Sequence, residues 1–252
     1  MKELASFSGT HRTSAAVRDR GRPELWAQWL PPGLSFVAGF VDTASFVGLF
    51  GLFIAHITGN FVVIGASMVH SGPGIIAKVL VIPVFIATIA CVRLLAIRLR
   101  ARKLSVVRTL LSLEAIFLFV FLASGVLLGP FYDADSTFAV LTGMAAAVAM
   151  AFQNAAMRDS LGHIHPTTLM TGNITQAVMD LVDLACRVGD KHHRETMRRR
   201  TRRLAFSLGA FTLGCLLSAS GLLFLGFWCL IFPIGVTIVV AAAPESSTRH
   251  AT

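Results

Sequence analysis

An all-α polytopic membrane protein is the fold class this sequence predicts, and three observations carry it. Of the 252 residues, 55% are hydrophobic and only 14% charged, whereas an ordinary soluble domain is about 45–50% apolar and about 25% charged. Long apolar runs recur along the chain, each long enough to cross the roughly 30 Å of bilayer hydrocarbon as a helix of about 20 residues. The basic residues behind the net charge of +9 fall between those runs. The same figures disfavour a water-soluble enzyme, which has no core large enough for this much apolar surface. They also exclude a disordered chain, which needs little hydrophobicity and much charge.

Taken in order, residues 1–22 are rich in Ser, Thr and Arg and read as a disordered tail, which is assigned as far as residue 30. The first span, 33–54, is too long for the apolar core of a signal peptide. It holds Asp42 near its middle, where a carboxylate costs about 2.5 kcal/mol or more to insert. A shorter, more polar segment, 56–69, follows with His56, Thr58, Gly59 and Asn60. Spans at 75–97 and 106–128 flank a cluster of Arg98, Arg100, Arg102, Lys103 and Arg108. The span 137–157 carries Gln153 and Asn154. A second short polar segment, 167–186, contains Thr171, Gly172, Asn173, Asp180 and Asp183. Arg187, Lys191, Arg194, Arg198, Arg199, Arg200, Arg202 and Arg203 then precede a run too long for one span. It divides near Ser220, Gly221 and Gly226 into 204–222 and 225–240, leaving 243–252 as a short tail.

The basic residues set the topology. Lys2, Arg12, Arg18, Arg20 and Arg22 join the two later clusters to make 18 of the 22 Lys and Arg, and such residues collect in cytoplasmic loops. Six spans place all three regions on one side, with both termini cytoplasmic. If both short segments crossed as well, the Arg98 cluster would be translocated. They are therefore read as re-entrant helices or as broken spans.

The two short segments resemble each other. Thr58-Gly59-Asn60 lies 16 residues after Asp42, and Thr171-Gly172-Asn173 lies 17 after Asn154; Phe40 and Asp42 align with Phe152 and Asn154. The membrane domain, 31–242, thus divides into halves of about 31–129 and 130–242. Each has a span with a polar residue, a Thr-Gly-Asn segment and two further spans. Three crossings per half put the halves in opposite orientations, an inverted 3+3 repeat of the kind that builds transporters with a midplane site. Irregular backbone at membrane depth needs cover from protein or a water-filled cavity, so the two Thr-Gly-Asn elements are expected to face each other.

In such a site Thr58 and Thr171 would cap short helices, Gly59 and Gly172 would allow close approach, and Asn60 and Asn173 would offer donors and an acceptor. A helix start inside the membrane points partial positive charge inward, which suits an anion or a polar neutral solute. Asp42 would accept a proton or cation, with His56 beside it or at the outer interface, while Gln153 and Asn154 line the cavity. The alternative is that these residues cap and pack membrane helices. Glu114 and Arg93 are expected to pair or to snorkel, and Lys78 to snorkel. No nucleotide, hydrolase or metalloprotease motif occurs, so the sequence predicts no enzyme, no metal and no cofactor. The clustering of charge beside apolar runs argues against nucleic acid. Cys91, Cys186, Cys215 and Cys229 lack metal or disulfide spacing and read as buried thiols.

The stretch from Phe36 to Asp42, the stretch from His56 to Gly65, and Phe152-Gln153-Asn154-Ala155 followed by 167–173 resemble the YoaK-like family of bacterial inner-membrane proteins, a domain of unknown function. The likeness covers about residues 30–242. It implies a six-span protein of the bacterial inner membrane and supplies no substrate. The function expected is a secondary transporter or channel for a small polar or anionic solute, in contact with membrane lipid. A non-transporting protein that binds lipid or a protein partner is the alternative. The oligomeric state is left open.

Overall fold

The computed structural model describes residues 23–69, 72–160 and 170–243. The expected terminal tails, residues 1–22 and 244–252, and the approach to the second Thr-Gly-Asn segment lie outside the described residues. Every regular element is a helix: α1 Pro23–Gly48, α2 Gly59–Ser67, α3 Ile75–Ala101, α4 Val106–Leu128, α5 Thr137–Ser160, α6 Met170–Ala185, α7 Lys191–Leu225 and α8 Ile231–Ala242, with a 3-10 turn Gly226–Leu230 before α8. Residues 23–30, assigned to the tail by composition, belong to α1, whose Pro31 and Pro32 lie inside the helix.

Among the described residues, five helical stretches are long and apolar enough to cross a membrane: Trp29–Gly48, Ile75–Ala101, Val106–Leu128, Thr137–Asp159 and Lys191–Ala242. The 27 residues of α3 reach about 40 Å at 1.5 Å per residue, more than the hydrocarbon thickness. Leu127, Phe224 and Leu223 are about four-fifths exposed, and Phe119, Ile86 and Ile238 more than half. A surface this apolar is stable against lipid tails and not against water.

The inner faces meet through small residues, as membrane helices do where lipid removes the hydrophobic drive to associate. Gly39 lies against the backbone of Phe211 and Gly214 against Phe36 and Phe40, so α1 and α7 approach backbone to backbone. Trp29 meets Phe206 with ring centroids 6.4 Å apart, which fixes the two helices as parallel. At Gly226, with φ +57°, the chain turns and returns along α1. Phe227 sits against Gly48, and Val236 and Val240 against Gly33. The long stretch Lys191–Ala242 is therefore two antiparallel pieces.

Helix α5 runs antiparallel to α1, with Gly143 on Leu49 and Leu52 and Gln153 Nε2 donating to the Leu34 carbonyl at 2.9 Å. It runs parallel to α3: Asp135 accepts from the Ile76 amide at one end, and Asp159 binds Arg93 and Arg100 at the other. The α3–α4 connection is capped by Ser105, which accepts from the Arg108 amide. Two apolar clusters fill the bundle, one around Phe40, Leu52, Phe121 and Met150 and one around Leu34, Leu110, Leu111 and Phe152.

Candidate functional site: a hairpin latched by Asp42

The first expected span ends early. Helix α1 stops at Gly48, and Phe50 (φ +54°) and Gly51 (φ +81°) take left-handed backbone that reverses the chain; glycine adopts it freely and phenylalanine at a cost. Residues 52–56 then run back along α1 before the chain leaves again in α2. Asp42 consequently stands six residues from the end of its helix, about 9 Å along the axis, rather than mid-span.

The returning strand is not helical, so its amides need acceptors other than their own turn. Asp42 supplies them. Its Oδ1 accepts from the amides of Ile54 and Ala55, both at 2.8 Å, and its Oδ2 lies 2.7 Å from His56 Nδ1. Ser45 Oγ is 2.8 Å from the Leu52 carbonyl. On the other side Asn60 holds Phe53 by both backbone groups, its Nδ2 donating to the carbonyl at 2.7 Å and its Oδ1 accepting from the amide at 3.1 Å. A further bond runs from Asn60 Nδ2 to Ile57 O at 3.2 Å. Asp42 and Asn60 are buried, while the His56 side chain keeps 30% of its surface and meets Phe211 edge-on at 5.5 Å.

Gly59 opens α2 because a Cβ there would come within 2.9 Å of the Phe53 ring. Thr58 stands before it, exposed and without a side-chain bond to the helix, so the expected cap is not formed. Of the two places expected for His56, the one beside Asp42 is where it stands, partly exposed. Lys78 does not snorkel: it is buried, and its Nζ donates to the carbonyls of Phe50 (2.8 Å) and Pro73 (2.6 Å), with Gly74 at 3.3 Å, which pins the reversal to the start of α3.

The second Thr-Gly-Asn segment is built differently. Thr171 and Gly172 are exposed in the first turn of α6. The Thr171 carbonyl accepts from Thr175 Oγ1 at 3.0 Å, and a Cβ on Gly172 would meet open space. Asn173 is buried. Asn154 donates to the Met150 carbonyl of its own helix at 3.3 Å, and Gln153, fully buried, bridges to Leu34, two helical turns from Asp42. Asp42, His56, Gly59 and Asn60 are thus brought together, and the partners expected from the second half are not among them. Helix α2 packs on α3 and α6 on α7, and the two do not meet among the described residues.

Periodicity also missed the ion pairs. Arg93 reaches Asp159 at 2.7 Å rather than Glu114. Arg200 clasps Asp180 through two of its nitrogens, Nε donating to Oδ2 at 2.7 Å and Nη2 to Oδ1, tying α6 to α7. The spacing of Arg93 and Arg100, two turns apart and both opposite one helix end, was the available signal. Among the described residues no three His, Cys, Asp or Glu side chains are placed to hold a metal ion.

A helical, apolar bundle with five stretches long and apolar enough to cross a membrane has the character of a membrane protein. The chain belongs to the family described as protein of unknown function (DUF1275), whose sequence profile matches residues 32–243. No curated protein and no solved structure was found to match it.

Proposed function

We propose that the chain is a small secondary transporter or channel for a polar or anionic solute, of the YoaK-like type its motifs resemble, with six crossings in two inverted halves. The observation that carries this reading is the pairing of the helices, most of which is kept when α1–α4 are exchanged for α5–α8; the α3·α4 contact has no α7·α8 image, the 3-10 turn standing between those two helices instead. The α1·α7 contact becomes α5·α3, α2·α3 becomes α6·α7, and α4·α5 becomes α8·α1. The contacts α1·α5 and α4·α8 are their own images. Inverted halves commonly hold a solute between them near the midplane. The return of α8 along α1 supports six crossings, and the clusters at the ends of α3 and α6 then share the cytoplasmic side with both termini, in a bacterial inner membrane.

Within the hairpin, solute contact falls to His56, the partly exposed end of the Asp42 pair, and Asp42 orients its ring. Buried Gln153 keeps an unpartnered Oε1 on α5 and supplies an acceptor near the α1·α5 contact. Lipid surrounds the bundle, and neither a cofactor nor catalysis enters this reading. A second reading is favoured by the bonding of Asp42 and Asn60, which is spent on backbone: a non-transporting membrane protein in which the hairpin is a packing device.

A broad solute screen by thermal shift in detergent separates the two. A true ligand at 100 times its Kd raises stability by about 2.7 kcal/mol, and uptake into liposomes should then follow. Uptake by Asp42→Asn at the wild-type rate removes any coupling role for Asp42. A screen without a stabilising solute favours the second reading.

A further inference from the structure

Glu114 lies on the buried face of α4 and is wholly enclosed. Neither of its carboxyl oxygens makes a hydrogen bond of good geometry, the Thr237 hydroxyl being the neighbouring group that can bond to it, and none of the ion pairs formed among the described residues includes it. Thr237 of α8, also fully buried, is the polar side chain beside it. The Thr237 hydroxyl is taken by the Pro233 carbonyl at 3.0 Å. One turn away on either side, Leu110, Leu111 and Leu118 are fully buried.

The charged and titratable groups on the elements around α4 point elsewhere. On α3, Lys78 is held by carbonyls at the far end, Arg93 and Arg100 are exposed and close on Asp159, and Arg98 and Cys91 are exposed. On α5, Arg158 is exposed and Asp159 is engaged with the arginines. Helix α8 has no titratable side chain, the 3-10 turn has only Cys229, and Arg108 of α4 itself is exposed. A carboxylate fully enclosed among leucine side chains is penalised heavily at membrane depth, which favours the neutral acid here. An apolar side chain would pack in its place at lower cost.

We propose that Glu114 is a proton-binding and proton-releasing site in the seam between α4 and α8, its purpose in transport resting on the reading above. With the seam closed the acid keeps its proton. When the seam admits water the O–H bond breaks, the electron pair stays on the carboxylate oxygen, and the proton passes to water. The seam is suited to opening. Helix α8 has 12 residues and hangs from a 3-10 turn. A groove of about 540 Å³ lies on the outer side of the seam, lined by Arg108, Ser112, Ala115, Phe119, Ile234 and Ile238; Glu114 stands behind it and is not part of its lining.

Infrared difference spectra of the full chain in liposomes, between about pH 5 and about pH 9, test this with the proton as the only ligand. Wild type is expected to show the carbonyl stretch of a neutral carboxylic acid near neutral pH, sensitive to deuterium exchange and lost under alkaline conditions. Glu114→Gln should remove the band, and Glu114→Asp should retain a shifted one, which separates a lost proton site from a lost fold. A wild type without the band, a band that survives in Glu114→Gln, or one that no alkaline pH removes overturns the assignment. No solute enters the measurement, so a titrating Glu114 beside an empty solute screen sustains the proton site while removing transport. A silent Glu114 beside measured uptake does the reverse.

Discussion

Asp42 has two oxygens and three donors to serve, two of them amides that the backward-running chain cannot satisfy itself. A buried amide left without an acceptor costs about 1–3 kcal/mol. Asp42→Ala is therefore expected to lower stability by roughly 2–4 kcal/mol in detergent unfolding, and Asp42→Asn, which keeps one acceptor oxygen for Ile54 and Ala55, by clearly less; equal losses would show that the amide bonds do not hold the hairpin. The two Thr-Gly-Asn triplets give a paired test. Gly59→Ala drives a methyl group into the Phe53 ring and should destabilise, whereas Gly172→Ala meets open space inside a helix and should be neutral or gain up to about 1 kcal/mol. The triplets themselves were legible in the sequence. Their different uses were not, because Thr, Gly and Asn suit a turn and a helix start alike. Asp42's partners are backbone amides, to which side-chain patterning is blind. One clue was present: between residues 33 and 60 only Asp42 and Asn60 carry a carboxylate or amide side chain.

At the scale of elements, the expected 33–54 span is a helix that ends at Gly48 and a hairpin that folds back, and apolar composition cannot distinguish the two. Lys78 holds the reversal in place. Lys78→Met keeps much of the volume but leaves the carbonyls of Phe50 and Pro73 without their donor, so a loss of about 1–3 kcal/mol is expected, with thermal unfolding as the measure. On the opposite half, the Arg200 guanidinium beside Asp180 holds its carboxyl below the usual carboxylate range, although burial acts the other way. A carboxyl depressed on folding adds stability that is present above its ordinary value, near 4, and is lost as pH falls through the folded one. Wild type should therefore lose stability across that acidic window more steeply than Asp180→Asn. Matching acid profiles would show that the clasp adds nothing to the α6·α7 contact.

For the whole molecule, the positions of the long helices were legible because about 20 apolar residues in a row admit few other fates, and the division of the last run near Gly226 coincides with the turn there. Among the described residues α2 and α6 each lie against the helix that follows in their own half and do not touch each other. Repeat arithmetic aligns residues along the chain and is silent about which side of a helix a neighbour takes. The function proposed rests on two halves of one plan lying in opposite orientations. Cysteines placed singly at Lys103, Val188 and Asp133 in a chain freed of Cys91, Cys186, Cys215 and Cys229 test it directly through a membrane-impermeant thiol reagent. The account predicts that Asp133→Cys is labelled from outside intact cells, and that Lys103→Cys and Val188→Cys are labelled only after the cytoplasmic face is opened. Labelling of Lys103→Cys and Val188→Cys from opposite sides would contradict it.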